Sequence, residues 1–407
     1  MIVERLGIEG HLLDENKLSG LLATLDEHGV AFRVRRFKVG ERGADESLID
    51  LELHAKDQAT LRSALEACRP FGVDLVLEDA TLEATDVDGV WPEGFYSTTN
   101  FPTIVRVEGQ ECEVERLEMD TAIRVWREGD RWRAETCPMH RASAGDRFVV
   151  GHGGVKVLPP LEDEDEDDEF RFMINEVSSE RPKSRLIEIC SGAIRQAKSA
   201  GEKVLLVGGP AIVHSGCAGV LAKLIEDGWI DVLFAGNALA AHDIEAAMLG
   251  TSLGVDLGRG RSVPHGHTHH LRAINRVRRV GSIEESVRSG LISSGIMRAC
   301  VLKPIPYVLC GSIRDDGPLP GVITDNVEGQ DAMRGHVPGV GVAILCATTL
   351  HSVATGNILP ATVKTFCVDS DADTVIKLTD RGTHQAVGIV TDVEFFLKEL
   401  ARQLSLA

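Results

Sequence analysis

Aromatic residues are scarce in this chain: twelve Phe, four Trp and two Tyr make up 4% of 407 residues. A core with so few rings has to be filled by small and branched aliphatic side chains, as in α/β proteins. Basic charge is short as well. Lys and Arg number 43 against 62 Asp and Glu, a formal net charge of −19, which argues against a nucleic-acid partner. The nine cysteines, at 68, 112, 137, 190, 217, 300, 310, 346 and 367, show no C-x-x-C spacing. That pattern excludes a disulfide framework and a structural zinc site, and leaves small buried hydrophobes. No apolar run reaches the roughly 18 residues of a membrane span, and "MIVERLGIEG" lacks the basic-then-apolar order of a secretory leader. A cytoplasmic protein with no membrane or nucleic-acid partner is expected.

What is present divides the chain. The block "EDEDEDDE" at 162–169 places eight like charges in succession, which repel one another and resist packing, so 161–170 reads as an acidic linker. Residues 1–85 run strand, helix, strand, strand, helix, the order of a ferredoxin-like α+β module. Residues 86–160 are short alternating segments broken by Gly and Asp, such as "PTIVRVEG" and "TAIRVWREGDRWRAETC". They predict a small antiparallel β-barrel or sandwich module. Residues 171–407 alternate apolar strands with helices, which predicts a parallel sheet covered on both faces and a Rossmann-like domain.

In such a sheet ligands bind beyond the carboxyl ends of the strands. Here those ends read "GGPA" (208–211), "AGNALA" (235–240), "GSIRDD" (311–316), "ATTLHSVATGN" (347–357), "VDSD" (368–371) and "TDV" (391–393). Glycines in "VGGPAIVHSGCAG" suit close approach of backbone N–H groups to a diphosphate, although the run is not G-x-G-x-x-G and tight strand–helix packing explains it equally well. Asp369, at a strand tip, suits a ribose diol; the competing reading is a helix cap. Thr348, Thr349 and His351 suit phosphate or nicotinamide contacts, against simple capping by threonine. Asn237 suits a carboxamide or ribose, or an ordinary turn.

Two further clusters stand out. "HGHTHH" carries His265, His267, His269 and His270 inside a basic segment; with no acid or cysteine beside them, a metal site is disfavoured, and an anion site or a solvated or subunit-facing helix remains. Asp120, Cys137 and His140, in "MDTAI" and "CPMHR", offer a Cys/His nucleophile pair on spacing alone.

The runs "GPAIVHSGCAGVLAKLIEDGWIDVLFAGNALAAHDIEAAMLGTSLGVDL", "HHLRAIN", "GSIRDDGPLPGVITD", "QDAMR", "LHSVATGN" and "DRGTHQAVGIVTDV" closely resemble the archaeal-type ornithine cyclodeaminase family. That family is also labelled the lysine-oxoglutarate reductase/saccharopine dehydrogenase conserved-region family, and is related to the C-terminal part of the cyanobacterial arginine dihydrolase/ornithine cyclodeaminase fusion. "GHLLDENKLSGLLATLDEHG" and "PEGFYSTTNFPTIVRVEGQ" look like its first two modules. The resemblance implies a deoxyhypusine-synthase-like NAD-binding domain and conversion of L-ornithine to L-proline and ammonia by transient hydride transfer to bound NAD. It implies cofactor contacts from Asn237, Ala238, one aspartate of "IRDD" (Asp316 being the residue assigned), Thr348, Thr349, Leu350, His351, Asp369, Asp392 and Val393. A substrate carboxylate needs a cation and the two amines need acids, which assigns Arg314 and Asp315 to catalysis, with His351 as proton shuttle. No resident metal is expected, and a homo-oligomer is. The alternatives are an NAD-dependent amino-acid or saccharopine-type dehydrogenase, and a non-catalytic NAD or amino-acid sensor.

Overall fold

The computed structural model describes residues 2–10, 17–38, 47–68, 79–158, 183–252, 255–256, 268–313, 315, 317–382 and 386–405. The acidic block 162–169, His265, His267, Arg314 and Asp316 lie outside the described residues. Two compact units emerge, one built of 1–81, 105–112 and 150–156, the other of 82–104, 113–149 and 157–407.

The first unit begins with β1 (Ile2–Gly10), α1 (Lys17–Glu27), β2 (Ala31–Lys38), β3 (Ser47–Ala55) and α2 (Gln58–Cys68). Its sheet runs β1-β3-β2, antiparallel throughout. Alternate residues of central β3, Ile49, Leu51, Leu53 and Ala55, point to one face and are buried under Leu21 and Leu25 of α1 and Leu61, Ala64 and Cys68 of α2. That pattern is the period-2 strand against the period-3.6 helix. On the other face Glu52 meets Arg35 and His54, and the Arg35 hydrogen bond holds its carboxyl below the usual range.

The middle of the chain is strand-rich: β4 (Thr81–Ala84), β5 (Thr103–Val107), β6 (Gln110–Glu115), β7 (Ala122–Glu128), β8 (Arg131–Cys137), β9 (Arg147–Val150) and β10 (Val155–Val157). Within the second unit β7 pairs antiparallel with both β8 and β9. One pair departs from the expected antiparallel pattern: Val114 and Glu115 of β6 run parallel to Ala134 and Glu135 of β8. Alternating burial cannot distinguish the two directions, because both present one face inward.

The rest is a doubly wound domain: α3 (Lys183–Ala200), β11 (Lys203–Gly208), α4 (Ala211–His214), α5 (Ala218–Glu226), β12 (Val232–Gly236), α6 (Asn237–Leu249), β13 (Thr251–Ser252), β14 (Val255–Asp256), α7 (His269–Val280), α8 (Ile283–Arg288), α9 (Ile296–Leu302), β15 (Tyr307–Cys310), α10 (Asn326–His336), β16 (Val340–Cys346), α11 (Thr349–Ile358), β17 (Lys364–Asp369), α12 (Ala372–Gly382), β18 (Ala386–Val390) and α13 (Val393–Ser405). Its sheet is wholly parallel in the order β15-β12-β11-β16-β17-β18. Both faces are dry. Leu206, Leu233, Ile344 and Phe366 pack against α3, α5, α6 and α13 on one side; Leu205, Val207, Phe234, Leu345 and Cys367 pack against α10, α11 and α12 on the other. The chain leaves β11 for β12 and β15 in one direction, then returns to add β16, β17 and β18 in the other. The reversal falls between β11 and β16. No helix among the described residues is long and apolar enough to cross a membrane.

The strand-rich region is tied to α10 inside the second unit. Glu118, buried to 4% exposure, accepts from Arg334 Nε at 2.8 Å, and Arg334 also reaches Asp331, which His140 and Arg141 hold from the strand side. Burial pushes the Glu118 carboxyl up, and Arg334 opposes that. Removing the cation while leaving the acid buried is the costly way to break such a pair. Arg334→Met is therefore expected to lose about 3–5 kcal/mol in chemical denaturation; an unchanged midpoint would show the pair to be idle.

Candidate functional site

In a doubly wound sheet the crevice for a ligand opens where the strand order reverses, and the ends of β11 and β16 meet there closely. A Cβ on Gly209 would lie 1.7 Å from the Ala347 carbonyl oxygen and 3.1 Å from Thr348 Cβ. Only glycine lets the two strand ends touch. Gly209 N–H donates to Cys346 O, and Ala347 N–H donates to Val368 O, with Ala347 held at φ 55°. A non-glycine residue in the left-handed region at a strand end marks stored strain.

Helix N-termini around this crevice differ in how they are capped. Asp325 side chain accepts from Val327 and Glu328 N–H at α10, and Asp392 accepts from Glu394 and Phe395 N–H at α13. At α11, by contrast, the Thr348 side chain makes no cap bond, nor does any side chain cap α6 after Gly236. The capping reading of Thr348 is thereby displaced. Uncapped first-turn amides with the positive end of the helix dipole suit an anion such as a diphosphate. His351, in the first turn of α11, stands over the start of α6: its Cε1 lies 3.0 Å from where a Gly236 Cβ would be. Thr348 Oγ1 lies 3.5 Å from His351 Nδ1, the outer limit of a hydrogen bond. Burial holds the His351 imidazole below its ordinary value, with Asp315 pulling it back up. Thr349 and Leu350 are exposed, Leu350 to 73%.

Asn237 and the loop after β15 belong together. Asn237 Oδ1 accepts from Leu319 N–H at 3.0 Å, in a buried setting, so its amide pins that loop to α6. Asp315 pins it again, with Oδ2 accepting from Ser312 N–H at 2.8 Å. Two-way backbone pairing between Gly311, Ile323 and Leu309 closes the loop's base. The described residues of this Gly-, Pro- and acid-rich loop are thus held in place behind a buried strand, with Ile313 fully exposed. Ala238 follows Asn237 and is half-buried.

Asp369 and Asp392 sit at the ends of β17 and just past β18. Asp369 Oδ1 accepts from Asp371 N–H at 3.0 Å, and Asp369 O accepts from Thr391 N–H. Asp392 is an exposed cap of α13, beside buried Val393. The structure therefore lines Asn237, Ala238, Asp315, Thr348, Thr349, Leu350, His351, Asp369, Asp392 and Val393 along one carboxyl edge of the sheet.

It does not assemble the Cys/His pair. Cys137 is buried, its thiol pushed up to about 11, with Sγ near Pro138 O, while His140 Nε2 engages Asp331 at 3.0 Å. A buried, protonated thiol without a histidine base is not a nucleophile. Sequence reasoning also passed over Asp243, His242 and Glu245 on α6. Asp243 is 1% exposed and accepts from Ile296 and Met297 N–H, both at 2.8 Å, at the start of α9. A helical i, i+3 pair of His242 and Glu245 in "HDIE" was the available signal.

Comparison with known proteins supplies the family. A family profile described as the ArgZ-like arginine dihydrolase C-terminal Rossmann fold matches residues 188–400. Its companion first region matches 102–187, and the LOR/SDH bifunctional enzyme conserved region matches 3–101. An ornithine cyclodeaminase of Methanopyrus kandleri is 46% identical over 402 residues, covering 98% of this chain and 97% of that one. A solved LOR/SDH protein from Methanococcus maripaludis S2 is 45% identical, covers 82% of this chain and 99% of its own, and superposes with a TM-score of 0.75. The ternary complex of AgrE with ornithine and NAD+ is 38% identical, covers 100% of this chain and 58% of its own, and gives a TM-score of 0.54. The chain belongs to the archaeal-type ornithine cyclodeaminase family, whose Rossmann domain it shares with the cyanobacterial arginine dihydrolase fusions.

Proposed function

We propose that the protein is an NAD-dependent ornithine cyclodeaminase, converting L-ornithine to L-proline and ammonia. The observation that carries this reading is the pair of uncapped helix N-termini, α11 at the reversal of strand order and α6 at the end of β12, with the His351 ring of α11 against the start of α6. A dinucleotide fits this edge: open amides serve its diphosphate and strand-tip acids serve its riboses. Support comes from relatives carrying the ornithine cyclodeaminase name at 42–46% identity and from a 38%-identical protein solved with ornithine and NAD+.

In this reading Asn237, Ala238, Thr348, Thr349, Leu350, His351, Asp369, Asp392 and Val393 hold the cofactor, joined by an aspartate of "IRDD". NAD, when bound, supplies reversible acceptance of hydride from the substrate α-carbon. The protein's own groups place the substrate and move protons. Arg314 takes the substrate carboxylate, Asp315 attracts an ammonium, and His351, neutral because burial lowers its proton affinity, is able to accept a proton at pH 7.

Purified protein incubated with NAD and ornithine is expected to form proline without accumulating NADH. Accumulating NADH would favour the dehydrogenase, and neither product would leave a sensor. Asp369→Ala is expected to weaken NAD binding about tenfold, one lost charge-assisted hydrogen bond being about 1.5 kcal/mol. Unchanged affinity in a fluorescence titration sinks the ribose assignment.

A further inference from the structure

Four short segments converge on one side-chain cluster of α6. They are "VHS" at the end of α4, "HDIE" in α6, "TS" in β13 and "HH" at the start of α7. Glu245 is fully buried, yet its two oxygens are both used. Oε2 faces His242 Nδ1 at 2.9 Å, and Oε1 accepts from the Thr251 hydroxyl at 2.9 Å. Thr251 Oγ1 also lies 2.8 Å from His269 Nδ1. Chemistry fixes the directions. A carboxylate only accepts, so His242 carries its proton on Nδ1; the threonine spends its one proton on Glu245, so His269 must donate to it from Nδ1. Both imidazoles thereby present Nε2 as the basic nitrogen.

Around this chain of bonds the rings of His214 and His242 meet edge-on at 4.8 Å, and His242 and His270 lie 5.8 Å apart. His214 Nδ1 is 2.7 Å from Ser252 Oγ. Burial and the neighbouring His242 ring hold His214 below its ordinary value, against the pull of Glu245. Among the described residues no group of three or more His, Cys, Asp or Glu is arranged to hold a metal ion. A carboxylate that orients a histidine through Nδ1 is the arrangement used to make Nε2 a base. The position fits. His242 lies five residues along the helix that starts at Asn237, about 7.5 Å of helix rise from the candidate site, and His214 lies six residues past the end of β11.

We propose that His242 is a catalytic proton acceptor and donor for the amino groups of a diamino acid, with Glu245, Thr251 and His269 positioning it. The proposal rests on the diamino-acid reading above and adds to it a residue set. His242 Nε2 takes one proton from the ammonium that becomes the nucleophile, which frees that nitrogen's electron pair for the new C–N bond. The imidazolium returns one proton to the departing amino nitrogen, so the ring ends the cycle neutral. Other titratable groups on elements packed against α6 are His214 on α4, His270, Arg272, Arg276, Arg278 and Arg279 on α7, Arg298 and Cys300 on α9, and Tyr307 and Cys310 on β15; Asp243, on α6 itself, is engaged with α9. β12 and β13 carry none.

The test uses the full chain with His242→Gln, Glu245→Gln and His269→Gln. His242→Gln is expected to lower kcat for proline formation on the order of 10²–10⁴-fold, with NAD affinity and melting temperature kept. Glu245→Gln should lower kcat while leaving KM for ornithine in place, because the His242 ring loses the carboxylate that orients it. His269→Gln, with Glu245 left in place, should do so to a smaller extent. Independently of activity, nitrogen-detected NMR of the imidazoles should show His242 as the Nδ1–H tautomer, perturbed when ornithine is added in the presence of NAD. Wild-type turnover with an unaltered His242→Gln rate, or an unaltered kcat in Glu245→Gln, overturns the proposal. If the wild type makes no proline, the cyclodeaminase reading falls by itself. The role of His242 is then decided by NMR: a ring unmoved by ornithine overturns it, and a perturbed ring upholds amine contact.

Discussion

Gly209→Ala is expected to abolish cofactor binding and to unfold the protein at markedly lower denaturant. The added methyl would stand 1.7 Å from Ala347 O and 2.6 Å from Ala347 C, so backbone rather than a side-chain tip is in the way. Neither partner has room to yield. Gly209 N–H is bonded to Cys346 O, and Ala347 is locked at φ 55° by its own bond to Val368 O. Overpacking of this kind costs at least about 3 kcal/mol, the top of the usual range. Whatever relief occurs must prise β11 from β16 where the dinucleotide is proposed to lie, so NAD affinity should fall with stability. Gly219→Ala is the matching control: it sits in α5 with nothing within 4 Å of an added Cβ, and alanine in a helix interior should raise stability by about 0.5–1 kcal/mol. Equal melting temperatures and equal NAD titration curves for wild type and Gly209→Ala would refute the close-approach argument.

Asp243→Ala should cost about 3–4 kcal/mol. It strips the start of α9 of the carboxylate that accepts from two buried amides, Ile296 and Met297, at about 1–3 kcal/mol each. Gly295, at φ 96°, already presses its Cβ position to 2.5 Å from Asp243 Oδ1, which also makes Gly295→Ala a poor exchange. Burial pushes the Asp243 carboxyl from 3.8 up to about 6, against the lowering effect of the two amides. The native state therefore binds the proton more tightly than the unfolded chain. This group's contribution is fully present below pH 3.8 and is lost as pH rises through about 6, a swing of about 3 kcal/mol at 1.4 kcal/mol per unit. Asp243→Asn should remove that component from the stability profile measured by denaturation between pH 4 and 7. If the wild-type and Asp243→Asn curves run parallel across that window, Asp243 does not titrate there.

Much of the domain could be read from the chain because its physics is local. Six continuous apolar runs ending in Gly, Asn, Thr or Asp declare a parallel sheet, and the rule that ligands sit at the carboxyl ends needs no strand order. That alone gathered Asn237, Asp315, Thr348, His351, Asp369 and Asp392 on one edge. Chain-local spacing was a poorer guide where two explanations shared one pattern. Thr348 offered both a cap and a ligand contact, and its side chain makes no cap bond to α11. Asp392, a cofactor contact by the resemblance alone, makes two amide bonds that cap α13.

What no local pattern carries is convergence. Residue types and the period of hydrophobicity along this chain suffice for strands, helices, the Rossmann-like sheet and the strand-end acids. They are properties of a few neighbouring residues and survive in any arrangement of the elements. The order β15-β12-β11-β16-β17-β18, the 1.7 Å approach at Gly209, the Asp243 cap on a helix 53 residues away and the His269 contact to Thr251 depend on which elements pack together. Long-range packing selects one such arrangement from many with equal local preference, and the buried polar groups it encloses must then find each other, because leaving them unpaired costs more than any propensity repays.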